Sequence, residues 1–472
     1  MGREELQAWL DENAKALEVP GVAVGVYHNG QEDYAFHGVT SVDNPLDVDE
    51  NTFFLYGSTQ KTYTATAIMV LADQGKLSLD DPVKKHVPEF TLKDKDCEER
   101  VTVLQLLNHT SGWQGDVRED CGENEDALER FVEFMATVEQ VTPLGTAFSY
   151  NNAALNVAGR VVEKVTGKEF GKALKELLLD PIGLENTLFN PLDVMVRRFS
   201  LGHRQGSDDK INVARPWHLS RASIASGGWG VSATAPDQIA WARFHLGDGT
   251  GKDGKRVLSK ELLDRMKQPT YEIPGSALGE GVGISWFFED VDGVRLVSHG
   301  GDVIGQHSSF VMCPERYFAV IVLTNLDGGG SQLKEQVVRF ALEHYIGVVQ
   351  KDPEPVKLSD EQLAPYTGTY ETVAAIANIA TQDGGLVLNV EIKPEARAQL
   401  FAEDEEIPEQ PPIPLGMLAS DNDFYIVTDG PAKGMRGYFI RDADGNVESV
   451  HVGGRLATRV KESVGASEAF PR

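Results

Sequence analysis

Two strands open this chain, and they cannot stand by themselves. Val22-Ala23-Val24-Gly25-Val26-Tyr27 is a buried apolar run, and His28-Asn29-Gly30 turns it into a second strand through Tyr34 to Gly38. A two-stranded hairpin is marginal in water, so its sheet neighbours must come from elsewhere. Strand patterns return only far along the chain, at Val282 to Glu289, Val294 to His299, Ser308 to Cys313 and Phe318 to Leu323. Between them, roughly 60–230 reads as mainly helical, with 3.6-residue periodicity at Asp126 to Val138, Asn152 to Val165 and Lys168 to Leu178. Ala233 to Leu246 follows as a longer helix behind a Ser232 or Thr234 cap. The economical solution is an α/β architecture: one antiparallel sheet built from both ends, flanked by helices at 3–18 and at Gln332 to Tyr345. The all-helical region is then an insertion, and a cleft forms between the layers.

The 472 residues exceed one such unit. Lys351-Asp352-Pro353-Glu354-Pro355-Val356 has linker composition. Beyond Tyr366 come short strands at 367–370, 385–390, 424–427, 437–440, 447–452 and 456–460, with the Glu- and Pro-rich stretch Glu403 to Gly416 as a long loop. These imply a small antiparallel sandwich or barrel. The expected division is 1–349, a linker at 350–365, a β domain at 366–460 and a tail at 461–472.

Charge and cysteine content narrow the partners. A formal charge of −28 opposes nucleic acid and anionic membranes. No run of about 18 apolar residues spans a membrane. Cys97, Cys121 and Cys313 show no metal spacing and no disulfide framework, and no cofactor is implied. The acidic start Met1-Gly2-Arg3-Glu4-Glu5-Leu6 is not a signal peptide, so the expectation is a cytoplasmic chain, or one whose leader has been removed. The expected partner is a small-molecule or peptide substrate, and oligomeric state is left open.

Chemistry concentrates at Ser58-Thr59-Gln60-Lys61. An apolar run closed by Gly57 precedes it, and an amphipathic helix with Ala65, Ile68, Met69 and Leu71 follows, stopping near Gly75. Residues three apart on a helix share a face, so Ser58 and Lys61 can point into one cavity. A serine nucleophile needs a base, and lysine, with an ordinary pKa of ~10.4, serves only when burial or positive potential makes it neutral. The same spacing occurs at Ser207/Lys210, in a polar loop, and at Ser331/Lys334, where the serine reads as a helix cap after Gly328-Gly329-Gly330. Only the first has apolar flanks; by itself it competes with an ordinary N-capping serine.

Two further stretches can complete a site. In Phe148-Ser149-Tyr150-Asn151-Asn152 a tyrosine stands just before a helix, placed either to relay a proton or merely to pack before an Asn cap. Ser298-His299-Gly300-Gly301-Asp302 reads as a strand end whose glycines admit a substrate backbone. There the Asp302 amide, with that of Ser58, can hold an oxyanion. His109 and His203 have no acid partner at a recognisable spacing and read as structural.

Together the stretches around Ser58-Thr59-Gln60-Lys61, Leu106-Leu107-Asn108-His109-Thr110-Ser111-Gly112, Gly145 to Asn152 and His299-Gly300-Gly301 occur in one order. Over roughly 5–345 the chain resembles the serine β-lactamase and penicillin-binding-protein superfamily. It looks closest to the class C β-lactamase-like branch of esterases, D-aminopeptidases and DD-peptidases. The resemblance implies a β-lactamase/transpeptidase-like fold with Ser58 as acylated nucleophile, Lys61 as its base and Tyr150 as proton relay. It implies that Asn152 orients substrate or Lys61. His299-Gly300-Gly301 replaces the family's Lys-Thr-Gly, which favours esters or peptides over β-lactams. The implied activity is serine hydrolysis of ester or amide bonds through an acyl-enzyme. The alternative is a weak β-lactamase or a penicillin-binding sensor without turnover. Residues 366–460 look like the lipocalin-like barrel that some members append.

Overall fold

The computed structural model describes residues 2–117, 119–206, 208–215, 225–382, 384–400, 411–419 and 423–460. The expected tail at 461–472, Ser207 and most of Glu403 to Gly416 lie outside the described residues. The chain divides into two compact units, the second formed mainly from Pro353 onward.

The first unit is built as the interrupted strand pattern requires. Helix α1 (Arg3–Ala16) leads into β1 (Gly21–His28) and β2 (Gln31–Gly38). The inserted region carries α2 (Lys61–Asp73), α3 (Asn152–Thr166) and α4 (Ala235–Leu246). The strands then resume as β3 (Tyr271–Ser276), β4 (Gly279–Val282), β5 (Phe287–Val291), β6 (Val294–Val303), β7 (Gln306–Cys313) and β8 (Phe318–Thr324), closed by α5 (Gly329–Ile346). They form one sheet in the order β2-β1-β8-β7-β6-β5-β4-β3. Val22 pairs with Thr324 and His28 with Phe318, so the two ends of the unit meet in one sheet.

Both faces of this sheet are covered. Ala23, Phe310, Met312, Ala319 and Ile321 pack toward α2, α3 and α4 with Ile68, Leu155 and Ile239. Val22, Val24, Val320 and Val322 pack toward α1 and α5 with Leu6, Leu10, Leu333 and Val337. A strand buried on both sides reads as an unbroken apolar run, which is why β1 is so plain in the sequence. Among the described residues no helix is long and apolar enough to cross a membrane.

Several elements differ from the sequence reading. The expected strand Val282 to Glu289 is two strands, broken at Gly283–Trp286. There the Gly283 amide donates to Trp286 O and the amides of Ile284 and Ser285 donate to Met266 and Leu107 carbonyls, so long-range backbone bonds outcompete strand continuity. The strand expected to end near His299-Gly300-Gly301-Asp302 runs on to Val303, because each of these residues pairs with β7. Ser331 does not cap α5: the helix starts earlier, with Gly328 at its cap position. Thr234, not Ser232, caps α4, accepting from the Asp237 amide, while Ser232 pairs with Leu55 in a short strand. Strand β3, with Pro274 and Gly275, was not expected.

The second unit contains a closed barrel of eight antiparallel strands: β9 (Gly368–Glu371), β10 (Ala375–Gln382), β11 (Gly385–Ile392), β12 (Ile413–Met417), β13 (Phe424–Val427), β14 (Arg436–Arg441), β15 (Val447–Val452) and β16 (Arg455–Arg459). Two more strands are present than the sequence suggested. β10 is alanine-rich, and β12 contains Pro414 within the stretch expected to be loop. Tyr370, Leu388, Leu415, Tyr425, Phe439 and Val450 fill the interior.

Candidate active site

Ser58 sits in a 3-10 turn, Gly57–Gln60, one turn ahead of α2 rather than in its first turn. The turn is pinned on three sides. Phe54–Leu55 pairs with Ser232–Ala233 behind it. Thr59 Oγ donates to His299 O at 3.3 Å and lies 3.0 Å from Ser308 Oγ, which donates to Tyr56 O at 2.7 Å. On the third side Gln60 Nε2 donates to Ala225 O and Thr64 Oγ to Ser226 O, tying the helix to the loop Ala225–Gly228.

Lys61 is completely buried. Its Nζ lies 3.0 Å from Ser58 Oγ and 2.7 Å from Asn152 Oδ1, and it donates to the Gly227 carbonyl. These are neutral oxygens. The Tyr150 ring lies over the same ammonium, 4.9 Å from Nζ to the ring centroid. Tyr150 precedes α3, whose start is capped by Asn151 accepting from the Ala154 amide. Its ring is held by His109 at 4.5 Å and Phe287 at 6.2 Å between centroids.

The strand end completes the arrangement. Pairing of β5 with β6 stops at Phe287 opposite Ser298, so His299 to Asp302 keep only β7 as a partner and leave one edge open. That edge meets the serine turn. A Cβ on Gly301 would fall 2.0 Å from Tyr56 O and 2.8 Å from Ser58 N, a contact only glycine permits. A Cβ on Gly57 would lie 2.8 Å from Asp302 N, so the amides of Ser58 and Asp302 bracket the junction. Across the cleft, Gly228, at φ +113°, approaches so closely that a Cβ would stand 2.8 Å from Ser58 Cα and 3.1 Å from Lys61 Nζ.

His299 is buried, its ring 6.2 Å from Tyr150 and 5.2 Å from Phe287 between centroids. Burial, then the nearby Lys61 charge, push its pKa down to about 3, so the imidazole is neutral at pH 7. Nδ1 lies 2.6 Å from Gly300 O, which fixes the proton there and leaves Nε2 a buried acceptor with no partner among the described residues.

The structure therefore gathers Ser58, Lys61, Tyr150, Asn152, His299, Gly300, Gly301 and Asp302 around one cleft end. Asn152 Oδ1 faces Lys61. The sequence reading missed Asp116, whose carboxylate accepts from Asn152 Nδ2 at 2.8 Å and so turns Oδ1 toward Lys61. It missed Gly227 and Gly228, and Phe287 as part of the aromatic wall. Ser226-Gly227-Gly228 echoes the later His-Gly-Gly and was the available signal; Asp116 carried none. His203 is structural, with Nδ1 2.8 Å from Asn325 O. Lys210 of the loop match pairs with Asp208 at the surface.

Comparison with known proteins identifies the family and the fold. The β-lactamase family model matches residues 6–343. Penicillin-binding protein 4 of Amycolatopsis lactamdurans is 34% identical over 362 residues, 75% of this chain and 93% of that one. The crystal structures of SurE alone and with D-Leu superpose with TM-scores of 0.74 and 0.72 at 24% identity, covering 97% of this chain and 99% of theirs. The class C β-lactamase of Rhodobacter sphaeroides matches at a TM-score of 0.59 and 18% identity, over 72% of this chain and 99% of that one.

Proposed function

The chain belongs to the β-lactamase family, and we propose that it is a serine hydrolase cleaving ester or amide bonds through an acyl-enzyme on Ser58. The observation that carries this reading is the buried Lys61 amino group, its Nζ 3.0 Å from Ser58 Oγ beneath the Tyr150 ring. Ser58 Oγ attacks the carbonyl carbon and gives its proton to the Lys61/Tyr150 pair. The carbonyl electron pair moves onto oxygen, where the Ser58 and Asp302 amides receive it. Collapse expels the alcohol or amine, which takes the proton from the same pair. Water then attacks the acyl carbon, the released carboxylic acid leaves, and the serine hydroxyl is restored.

His299 supports a substrate without an anionic group at that position. A neutral imidazole brings no positive charge to that position, where a lysine would attract a carboxylate. The open edge of β6 offers backbone groups to an extended peptide. SurE has been solved with D-leucine, so D-leucyl esters and anilides belong in the first substrate panel beside short acyl esters and nitrocefin.

Intact mass after treatment with a fluorophosphonate tests the nucleophile. One adduct on the wild type and none on Ser58→Ala is expected; an unlabelled wild type, or labelling that survives the substitution, refutes it. The name of the 34% identical relative favours one second reading, a penicillin-binding protein without turnover. Stable acylation by benzylpenicillin with no hydrolysis across the panel would establish that reading instead.

A further inference from the structure

On the face of β6 away from the cleft lies a chain of charges centred on His307. Asp302 and His307 are direct partners across the β6–β7 hairpin. His307 Nδ1 lies 2.6 Å from Asp302 Oδ1, and Nε2 lies 3.0 Å from Asp327 Oδ1. Lys334 of α5 reaches Asp302 Oδ1 at 3.2 Å, and Arg204 Nε donates to Asp327 Oδ2 at 2.7 Å. Glu335, next on α5, adds negative charge near Lys334. The imidazole is nearly enclosed, its side chain 9% exposed.

The geometry dictates the proton count. Ionised carboxylates only accept hydrogen bonds, and both ring nitrogens face one. Both must therefore carry hydrogen, which makes His307 an imidazolium. We propose that the His307 imidazolium, clasped between Asp302 and Asp327, is a positioning group that holds the Asp302 amide for the oxyanion and makes turnover fall when it loses a proton. This rests on the reading of Ser58 as nucleophile and of the Asp302 amide as its oxyanion donor.

The electrostatics run the same way. Burial would lower the His307 pKa, but hydrogen bonds to Asp302 and Asp327 carry it above the ordinary histidine value. The Asp302 side chain is 66% exposed, and Lys334 and His307 hold its carboxyl well below the usual range; His307 and Arg204 lower Asp327 against the cost of its partial burial. Lys334, which burial would lower, is raised by Asp302. The sign follows: a raised histidine keeps its charge at acid and neutral pH and loses it as pH climbs through the raised value. Loss of either ring proton to solvent sets a nitrogen lone pair against a carboxylate oxygen. The Asp302 contact, one residue beyond Gly301, then opens.

The test is the pH profile of kcat/KM for an activated ester in the wild type, His307→Gln and Asp327→Asn. The wild type should show an alkaline limb that Asp327→Asn moves to lower pH. His307→Gln should be about tenfold slower at pH 7, a fraction of the loss expected for deleting an oxyanion donor, and should lack that limb. A His307→Gln profile of wild-type shape, at any height, overturns the proposal. Ring titration in 13C-histidine-labelled wild type decides the matter even if that variant does not fold: a His307 midpoint above ~6.5 supports it, and a ring neutral at pH 6 overturns it. Fluorophosphonate labelling of the same wild-type sample keeps the two readings apart, since an unlabelled Ser58 refutes the hydrolase while an adduct with an unchanged His307→Gln profile refutes only the clasp.

Discussion

Ser58/Lys61 and Ser331/Lys334 share one tetrapeptide spacing, and both lysines are buried, on opposite sides of the same sheet. Their surroundings differ in kind. Lys61 is met by a hydroxyl, an amide oxygen and a carbonyl oxygen, under an aromatic ring. Lys334 is met by the Asp302 carboxylate, which holds it charged. Ser58 stands half-buried in a 3-10 turn where a strand edge arrives, whereas Ser331 is the third residue of an 18-residue helix. A serine and a lysine three apart are thus raw material. Neutral oxygens around the lysine suit proton transfer, and a carboxylate around the lysine suits a permanent ion pair.

The largest expected difference tests this directly. Lys61→Met should lower kcat/KM for ester hydrolysis by at least about 1000-fold, and Tyr150→Phe by about 100-fold, with little change in Tm. Lys334→Met should do the reverse. It should leave kcat/KM within about tenfold of wild type while lowering stability by about 2 kcal/mol in urea unfolding, moderated because Asp302 remains 66% exposed. Equal losses of rate from both lysine variants would break the comparison.

The histidines on the two faces give a sharper and smaller contrast. His299 is held neutral by burial and Lys61, so the unfolded chain binds its proton first and stability falls as pH drops from about 6.5 toward the folded value of about 3. His307 is held charged, so its contribution is full below the ordinary histidine value and lost as pH rises past the raised one. Tm measured against pH should therefore lose its acid limb in His299→Gln and its alkaline limb in His307→Gln. The smallest effect concerns the seam between them. Ser308→Ala removes the donor to Tyr56 O and should cost about 1 kcal/mol of unfolding free energy, read from the urea midpoint.

Much of the fold was legible because burial on both faces leaves a plain signature. The apolar run Val22 to Tyr27 and the late strands up to Leu323 required one another, and the sheet order joins them as expected. Legibility failed where local pattern lost to distant partners. Val282 to Glu289 looks continuous, yet backbone donors to Met266 and Leu107 break it, and that break frees the edge of β6 on which the site depends. In the barrel, Ala375–Gln382 is too rich in alanine, and Ile413–Met417 too marked by Pro414, to announce strands.

For the site the division is similar. The types and order of Ser58, Lys61, Tyr150 and His299-Gly300-Gly301 are properties of the sequence, and they pointed to the family before any coordinate. Only the folded chain decided which of the Ser-x-x-Lys pairs faces neutral oxygens, that Asp116 aims Asn152, that Gly228 closes on Ser58, and that one histidine is neutral while its neighbour across the sheet is charged. The reason is physical. Helix and strand periodicity act within a few residues, so sequence records them, whereas the dielectric, charges and carbonyls that set a side chain's proton affinity come from distant segments, as Lys61 acts on His299, brought together only by packing.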